Sequence, residues 1–294
     1  MTYGSPDSLA DMPRYLAAVR GGRPAPEALI EEFTRRYRVI GGSPLIPITR
    51  LQAAALERSL GPGYRVAVGM RFSEPSIEVG LGELVDAGAR EITAIVLSPQ
   101  DSPLLMGGYG RAIAAACAAL GPAAPAVRLA ERWHLEPAFV AALAGRIREA
   151  LAAFPAAERE HVPVLLTAHS LPRRVADEEP DYLAQLDETA RAVAAAADLS
   201  QDRWIFCWQS AGHEPGEWMR PDFADLMPEL RAAGHRSVLV APVQFLADHL
   251  EILYDVDIGA REQAEAAGLA FRRIASLNDD PGLVAALAAV AKRP

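Results

Sequence analysis

The sequence predicts an α/β protein of two similar domains, each a parallel sheet covered by helices. Three observations carry this prediction. Short β-rich apolar runs alternate with segments whose apolar residues recur at helical spacing, the pattern of parallel strands joined by helices. That alternation restarts once, after a long helical segment ending at Phe154. A length of 294 residues suits two ordinary domains with sizeable cores.

Taken in order, YRVAVGM (64–70), EITAIVLSP (91–99) and APAVRLA (124–130) are the strands expected in the first half. SIEVGLGELVDAGA and GGYGRAIAAACAAL are the helices between them. FVAALAGRIREALAAF (139–154) is a helix that closes this half. VPVLLTAHS (162–170), RWIFCWQS (203–210) and RSVLVAPVQF (236–245) are the expected strands of the second half, separated by YLAQLDETARAVAAAA and DFADLMPELRAAG. The expected division is 1–158, 159–273 and a C-terminal helix in 274–294 that packs back on the first domain. One strand is missing from the pattern. The opening TYGSPDS reads as the loop that follows a strand, and a strand of roughly five or six residues is expected ahead of it.

Composition excludes several classes. Apolar residues make up 51% and charged residues 23%, as in a soluble globular protein. The net charge of −9 argues against nucleic acid and against tight binding to an acidic membrane surface. No apolar run is long enough for a membrane span or a signal peptide. Two cysteines, Cys117 and Cys207, form no CxxC, which argues against a cysteine-held zinc or iron–sulfur site and suits a reducing cytosol. The glycine pairs at 21–22, 41–42 and 107–108 match neither G-x-G-x-x-G nor the P-loop and read as turns. No G-x-S-x-G elbow is present.

In open α/β sheets, ligands bind beyond the carboxyl ends of the strands. That rule selects His169 and Ser170, then Gln209, Ser210 and His213, then Gln244, Asp248, His249 and Glu251. The densest acid cluster is ADHLEILYDVD (247–257). Asp248, Glu251 and Asp255 share one face if this segment is an α-helix, and Glu262 continues it. Such a face is either solvated, complementary to the helix dipole, or a cation site. The apolar Leu250, Ile252, Leu253 and Tyr254 argue against simple solvation. A histidine after a strand is commonly structural, yet His169 and Glu251 have the chemistry for a divalent metal or for proton transfer. Trp133, Trp208 and Trp218 read as core before ligand platform.

Together these stretches resemble the ferrochelatase family. LLTAHSLP, CWQSAGHEPGEWMRPD and VAPVQFLADHLEILYDVD are similar to its signature segments in order and separation. TYGSPDSLADMPRYL, RRYRVIGGSPLIPIT and VGMRFSEPSIE extend the likeness through the first half. The resemblance implies two Rossmann-like domains, each a parallel sheet flanked by helices, with a porphyrin cleft between them in a chelatase-like fold. The short chain, the TYG opening and the lack of carboxy-terminal cysteines are most like the coproporphyrin ferrochelatases of Gram-positive-type bacteria.

The resemblance implies insertion of Fe²⁺ into coproporphyrin III in haem biosynthesis. It implies no cofactor, with ferrous iron as a substrate and no iron–sulfur cluster. His169 and Glu251 match the catalytic and metal-handling pair, with Asp255 a further metal ligand. Tyr3, Arg20, Arg36, Tyr37, Ser43 and His134 match porphyrin-contacting positions. Guanidiniums suit a substrate that carries four carboxylates. The expected protein is a cytoplasmic monomer that hands its product transiently to a downstream haem-pathway enzyme, without nucleic acid or integral membrane contact. Gln100, His134, Gln244 and Gly259 depart from the residues common in relatives. Two alternatives follow from these departures: a chelatase for protoporphyrin IX or another tetrapyrrole, and a non-catalytic porphyrin- or haem-binding protein.

Overall fold

A computed structural model describes residues 1–212 and 216–293, the side chain of residue 105 excepted. The first elements in chain order are α1 (Met12–Val19), α2 (Glu27–Val39), α3 (Leu45–Leu60), α4 (Ile77–Asp86), β1 (Glu91–Ala94), α5 (Pro103–Leu120) and β2 (Ala126–Leu129). Then come α6 (Pro137–Ala152), α7 (Ala156–Arg159), β3 (Val164–His169), α8 (Arg173–Glu178), α9 (Pro180–Ala196), β4 (Trp204–Gln209), α10 (Phe223–Ala232) and β5 (Ser237–Pro242). A π-helix spans Glu251–Ala260, followed by α11 (Arg261–Ala266), β6 (Ala270–Arg273) and α12 (Pro281–Ala291).

The chain packs as two compact units. One comprises Met1–Arg132, Ala247–Leu250 and Asn278–Pro294; the other comprises Trp133–Leu246 and Glu251–Leu277. The division after Arg132 falls earlier than the boundary at 158 read from the sequence. The physical reason is that α6 packs against α9, inside the second unit. Helix α12 packs against α3 within the first.

The second unit is built on a four-stranded parallel sheet of order β4-β3-β5-β6. Strand β5 is buried throughout and β3 up to His169, which explains their unbroken apolar sequence. Leu165, Val238 and Val240 on this sheet meet Phe223, Leu226, Met227 and Leu230 of α10 and Ile252 and Val256 of the π-helix in one core. Local chemistry fixes the helix starts. Asp222 and Asp225 form a capping box on α10. Likewise the Ser76 hydroxyl accepts from the Val79 N–H on α4 at 3.2 Å, and Asp280 accepts from Gly282 on α12 at 2.7 Å.

The first unit has only two laddered strands, β1 and β2, in parallel. The expected strand 64–70 is not laddered; Met70 alone is bridged, to Thr2 on one side and to Ser76 on the other. A strand needs neighbours to satisfy its backbone, and among the described residues this segment is bridged only at Met70. A second expectation also changes. Residues 247–257 are not one α-helix: Asp248 precedes the helix and is held in the first unit by Asn278, whose side chain bonds its N–H at 2.9 Å and its carboxylate at 3.0 Å. Glu251 opens the π-helix in the second unit. The single face of three acids is therefore split.

Candidate functional site

The strand order of the second unit creates a site. From β3 the chain moves to β4 on one side and then returns to β5 on the other. Loops leaving β3 and β5 diverge at such a reversal, and ligands bind in the gap at the strands' carboxyl ends. His169 ends β3 there, in register with Gln209 at the end of β4. Gln244 follows β5 by two residues, and Glu251 opens the π-helix. A π-helix is rare and often marks functional positions; this one runs for ten residues.

His169 is held at three points. Its backbone N–H donates to the Gln244 Oε1 at 2.7 Å. One step earlier, Val243 N–H donates to the Thr167 carbonyl at 3.0 Å, as a ladder rung. In a parallel ladder the next rung would run from His169 N–H to a backbone carbonyl of the β5 strand. The Gln244 carboxamide takes that rung instead, and its Nε2 donates onward to the Tyr182 hydroxyl of α9. Burial pushes the Tyr182 phenol well up, so it stays protonated. The His169 Nδ1 lies 2.5 Å from the Ser170 carbonyl. A carbonyl only accepts, so Nδ1 carries the hydrogen and the neutral ring presents a bare Nε2. Trp218 stands beside the ring, with centroids 6.5 Å apart.

That bare Nε2 faces Glu251, whose Oε2 is 3.7 Å away. The distance exceeds a hydrogen bond and suits an ion pair once the imidazole is protonated. Both side chains are about a third exposed, 33% and 32%, so a ligand can reach them. Asp255 lies four residues along the π-helix, about one turn of its 4.4-residue repeat. Among the described residues no three His, Cys, Asp or Glu side chains gather as a metal cage. Ser170 and Gln209 serve the scaffold: the Ser170 hydroxyl donates to the Met219 carbonyl at 3.1 Å, and Thr167 donates to Gln209 at 2.5 Å. His213 lies outside the described residues.

The remaining sequence candidates are distributed as follows. His134, in the second unit, is buried and reaches Glu188 of α9 through Nε2 at 2.8 Å. In the first unit, Tyr3 is 41% exposed, packed edge-on against Phe72 and overlooked by the Arg71 guanidinium. Arg71 also lies over Phe72 and Tyr109, at 4.6 and 5.2 Å; a Cβ at Gly108 would collide with it. Arg20 caps α1 at its carboxyl end. Arg36 bonds Glu32 at 2.7 Å. Two guanidiniums, Arg35 and Arg36, hold the Glu32 carboxyl down to about 2. Tyr37 is buried, and the Ser43 hydroxyl accepts from Leu45 N–H at 3.3 Å at the start of α3. Tyr182 was not among the sequence candidates, because its partner Gln244 lies 62 positions away.

The fold is one of parallel sheets flanked by helices, the class to which the solved chelatases below belong. Solved structures agree on the fold. The sirohydrochlorin chelatase SirB from Bacillus subtilis subspecies spizizenii in complex with cobalt aligns with TM-score 0.59 at 15% identity, over 84% of this chain and 88% of its own. SirB from Bacillus subtilis with Fe³⁺ aligns with TM-score 0.58 at 15% identity, over 82% and 89%. The family model described as Ferrochelatase matches residues 1–294. A ferrochelatase of Deinococcus radiodurans is 40% identical over all of this chain and 94% of its own. A coproporphyrin III ferrochelatase of Geobacillus kaustophilus is 37% identical over 99% and 93%. The chain belongs to the ferrochelatase family.

Proposed function

We propose that this ferrochelatase takes coproporphyrin III, with His169 and Glu251 as its reacting pair. The carrying observation is the bare Nε2 of His169 aimed at the Glu251 carboxylate across 3.7 Å. The substrate assignment is supported by relatives named coproporphyrin III ferrochelatase at 37% and 36% identity. Insertion exchanges two pyrrole protons for one ferrous ion, so a site needs a proton acceptor and a group that holds a hydrated cation. Nε2 accepts the two pyrrole protons in turn, passing the first to solvent at its exposed edge before taking the second, because Nδ1–H is committed to the Ser170 carbonyl. Glu251 stabilises the resulting imidazolium and receives the incoming cation, with Asp255 one turn along as its approach ligand. No resident cofactor takes part; iron enters and leaves as substrate and product. In this reading Tyr3, Arg20, Arg36, Tyr37 and Ser43 bind the porphyrin, the arginines through its carboxylates.

The test is anaerobic metalation. Coproporphyrin III and protoporphyrin IX are each mixed with Fe²⁺ and protein, and loss of the free-base bands is followed. Faster metalation of coproporphyrin is expected. His169→Ala is expected to slow it by about a hundredfold or more while the far-UV signal is kept. A preference for protoporphyrin refutes the substrate, and undiminished turnover in the variant refutes the pair. Tight porphyrin binding without insertion would identify a carrier instead.

A further inference from the structure

Two peptide planes meet at the His169 Cα, and together they decide where its imidazole points. The plane after it is held from β4, because Ser170 N–H donates to the Gln209 carbonyl at 2.7 Å. The plane before it is tied to β4 by the pairing of His169 with Gln209. Its other edge faces β5, where the register ends early. Strand β3 pairs with β5 only as far as Thr167 opposite Pro242, two residues short of His169. That edge is held by the Gln244 side chain, through the 2.7 Å bond from His169 N–H to Oε1.

The chemistry of the carboxamide fixes its orientation. A backbone N–H only donates, so the amide oxygen must face it. Nε2 is then turned to Tyr182, whose hydroxyl accepts. Tyr182 is 2% exposed on α9, and burial keeps its phenol protonated. The far end of the link is therefore a fixed, neutral group. One side chain thus joins α9 to the end of β3, at the residue whose ring faces Glu251.

We propose that Gln244 is a positioning residue for the reacting pair. Its carboxamide, braced on Tyr182, locks the peptide plane ahead of His169. That lock keeps the ring in the one arrangement in which Nδ1–H meets the Ser170 carbonyl and Nε2 faces Glu251. The role rests on His169 being the proton acceptor, as proposed above. Without the amide oxygen, the plane is tied on one edge and can rock about it. The ring then leaves the Ser170 carbonyl for part of the time. The tautomer with its hydrogen on Nε2 becomes populated, and that nitrogen no longer accepts a proton. The loss falls on kcat, because Gln244 acts through His169 and not through substrate binding. A simple fastening of the loop after β5 would leave the tautomer alone.

Three variants test this. Gln244→Met keeps the length and removes both polar atoms. Gln244→Glu returns an acceptor oxygen, to whose partner oxygen the Tyr182 hydroxyl can turn and donate. Tyr182→Phe removes only the brace. Nitrogen-15 NMR of histidine-labelled protein, in alkaline buffer where an imidazole is neutral, reads the tautomer; the His169 signals are those lost in His169→Ala. Anaerobic metalation reads kcat and KM. The unaltered chain is expected to show the Nδ1–H tautomer alone. Gln244→Met is expected to show a mixture, with kcat about fivefold lower, the equivalent of one net hydrogen bond, and KM unchanged. Gln244→Glu should restore the single tautomer, and Tyr182→Phe should fall between. A single tautomer in Gln244→Met overturns the role whether or not kcat falls, and a fall in kcat alone would assign Gln244 to the scaffold. A mixture as large in Gln244→Glu as in Gln244→Met overturns the acceptor. Should Gln244→Met fail to fold, an unaltered tautomer and kcat in Tyr182→Phe overturn the braced link. The tautomer is read without turnover, so a chain that inserts no iron refutes the reacting pair and leaves the link to be judged by NMR.

Discussion

The two units are built from the same kinds of element, yet their sheets differ. In the second unit β3 has a laddered neighbour on each side, and its carboxyl end delivers His169 with its backbone N–H held, its tautomer set and its Nε2 aimed at Glu251. In the first unit β1 is laddered on one side only, and its residues also line a cavity of about 470 Å³. The difference teaches that a strand's neighbours, as much as its own sequence, decide whether it becomes part of a sheet. YRVAVGM is as β-prone as VPVLLTA, but only the second finds partners along its length.

The largest expected effect lies in the cores. Leu239 on β5 is fully buried between laddered neighbours, whereas Ile92 on β1 lines the cavity. Truncation of Leu239 to Ala is expected to cost about 4 kcal/mol and truncation of Ile92 to Ala about 2, because the cavity wall already lacks packing partners. Urea denaturation of both variants checks this, and equal losses would mean that the two cores are equally well filled.

A smaller effect is a pH slope peculiar to the first unit. The Met1 amine is lowered from its ordinary value of about 8 to about 5 by burial. Between those values the unfolded chain holds a proton that the folded chain does not, so stability rises from pH 5 to pH 8. The slope should vanish when the Met1 amine is acetylated. Denaturation midpoints across that window separate the acetylated from the free chain; an identical slope in both would assign the linkage to other groups.

The smallest effect is at the surface. Glu32, lowered to about 2 by Arg35 and Arg36, contributes stability above its unfolded value near 4.3 and loses it as pH falls toward 2. Glu32 is partly solvated, and exposed pairs of this kind are worth roughly 0–1 kcal/mol. Glu32→Gln is therefore expected to shift the urea midpoint slightly at pH 7 and not at all at pH 2. If Arg36 binds a porphyrin carboxylate, the same variant frees that guanidinium and lowers KM without changing kcat; a changed kcat would count against a binding role.

The sequence by itself determined the α/β class, the strands β3, β4 and β5, and the position of His169 at a strand's carboxyl end. These are local properties: an apolar run ended by polar residues has one meaning in a buried parallel sheet. The long motifs identified the family for the same reason, since they are contiguous. Tertiary structure alone decided the rest. It separated Asp248 from Glu251, because Asn278 captures the first. It wound residues 251–260 as a π-helix and made the Gln244 side chain a rung of the sheet. It also left 64–70 without a ladder and opened a cavity beside β1. Each of these depends on groups distant in sequence that meet only when the chain is folded, and no spacing along the chain encodes them.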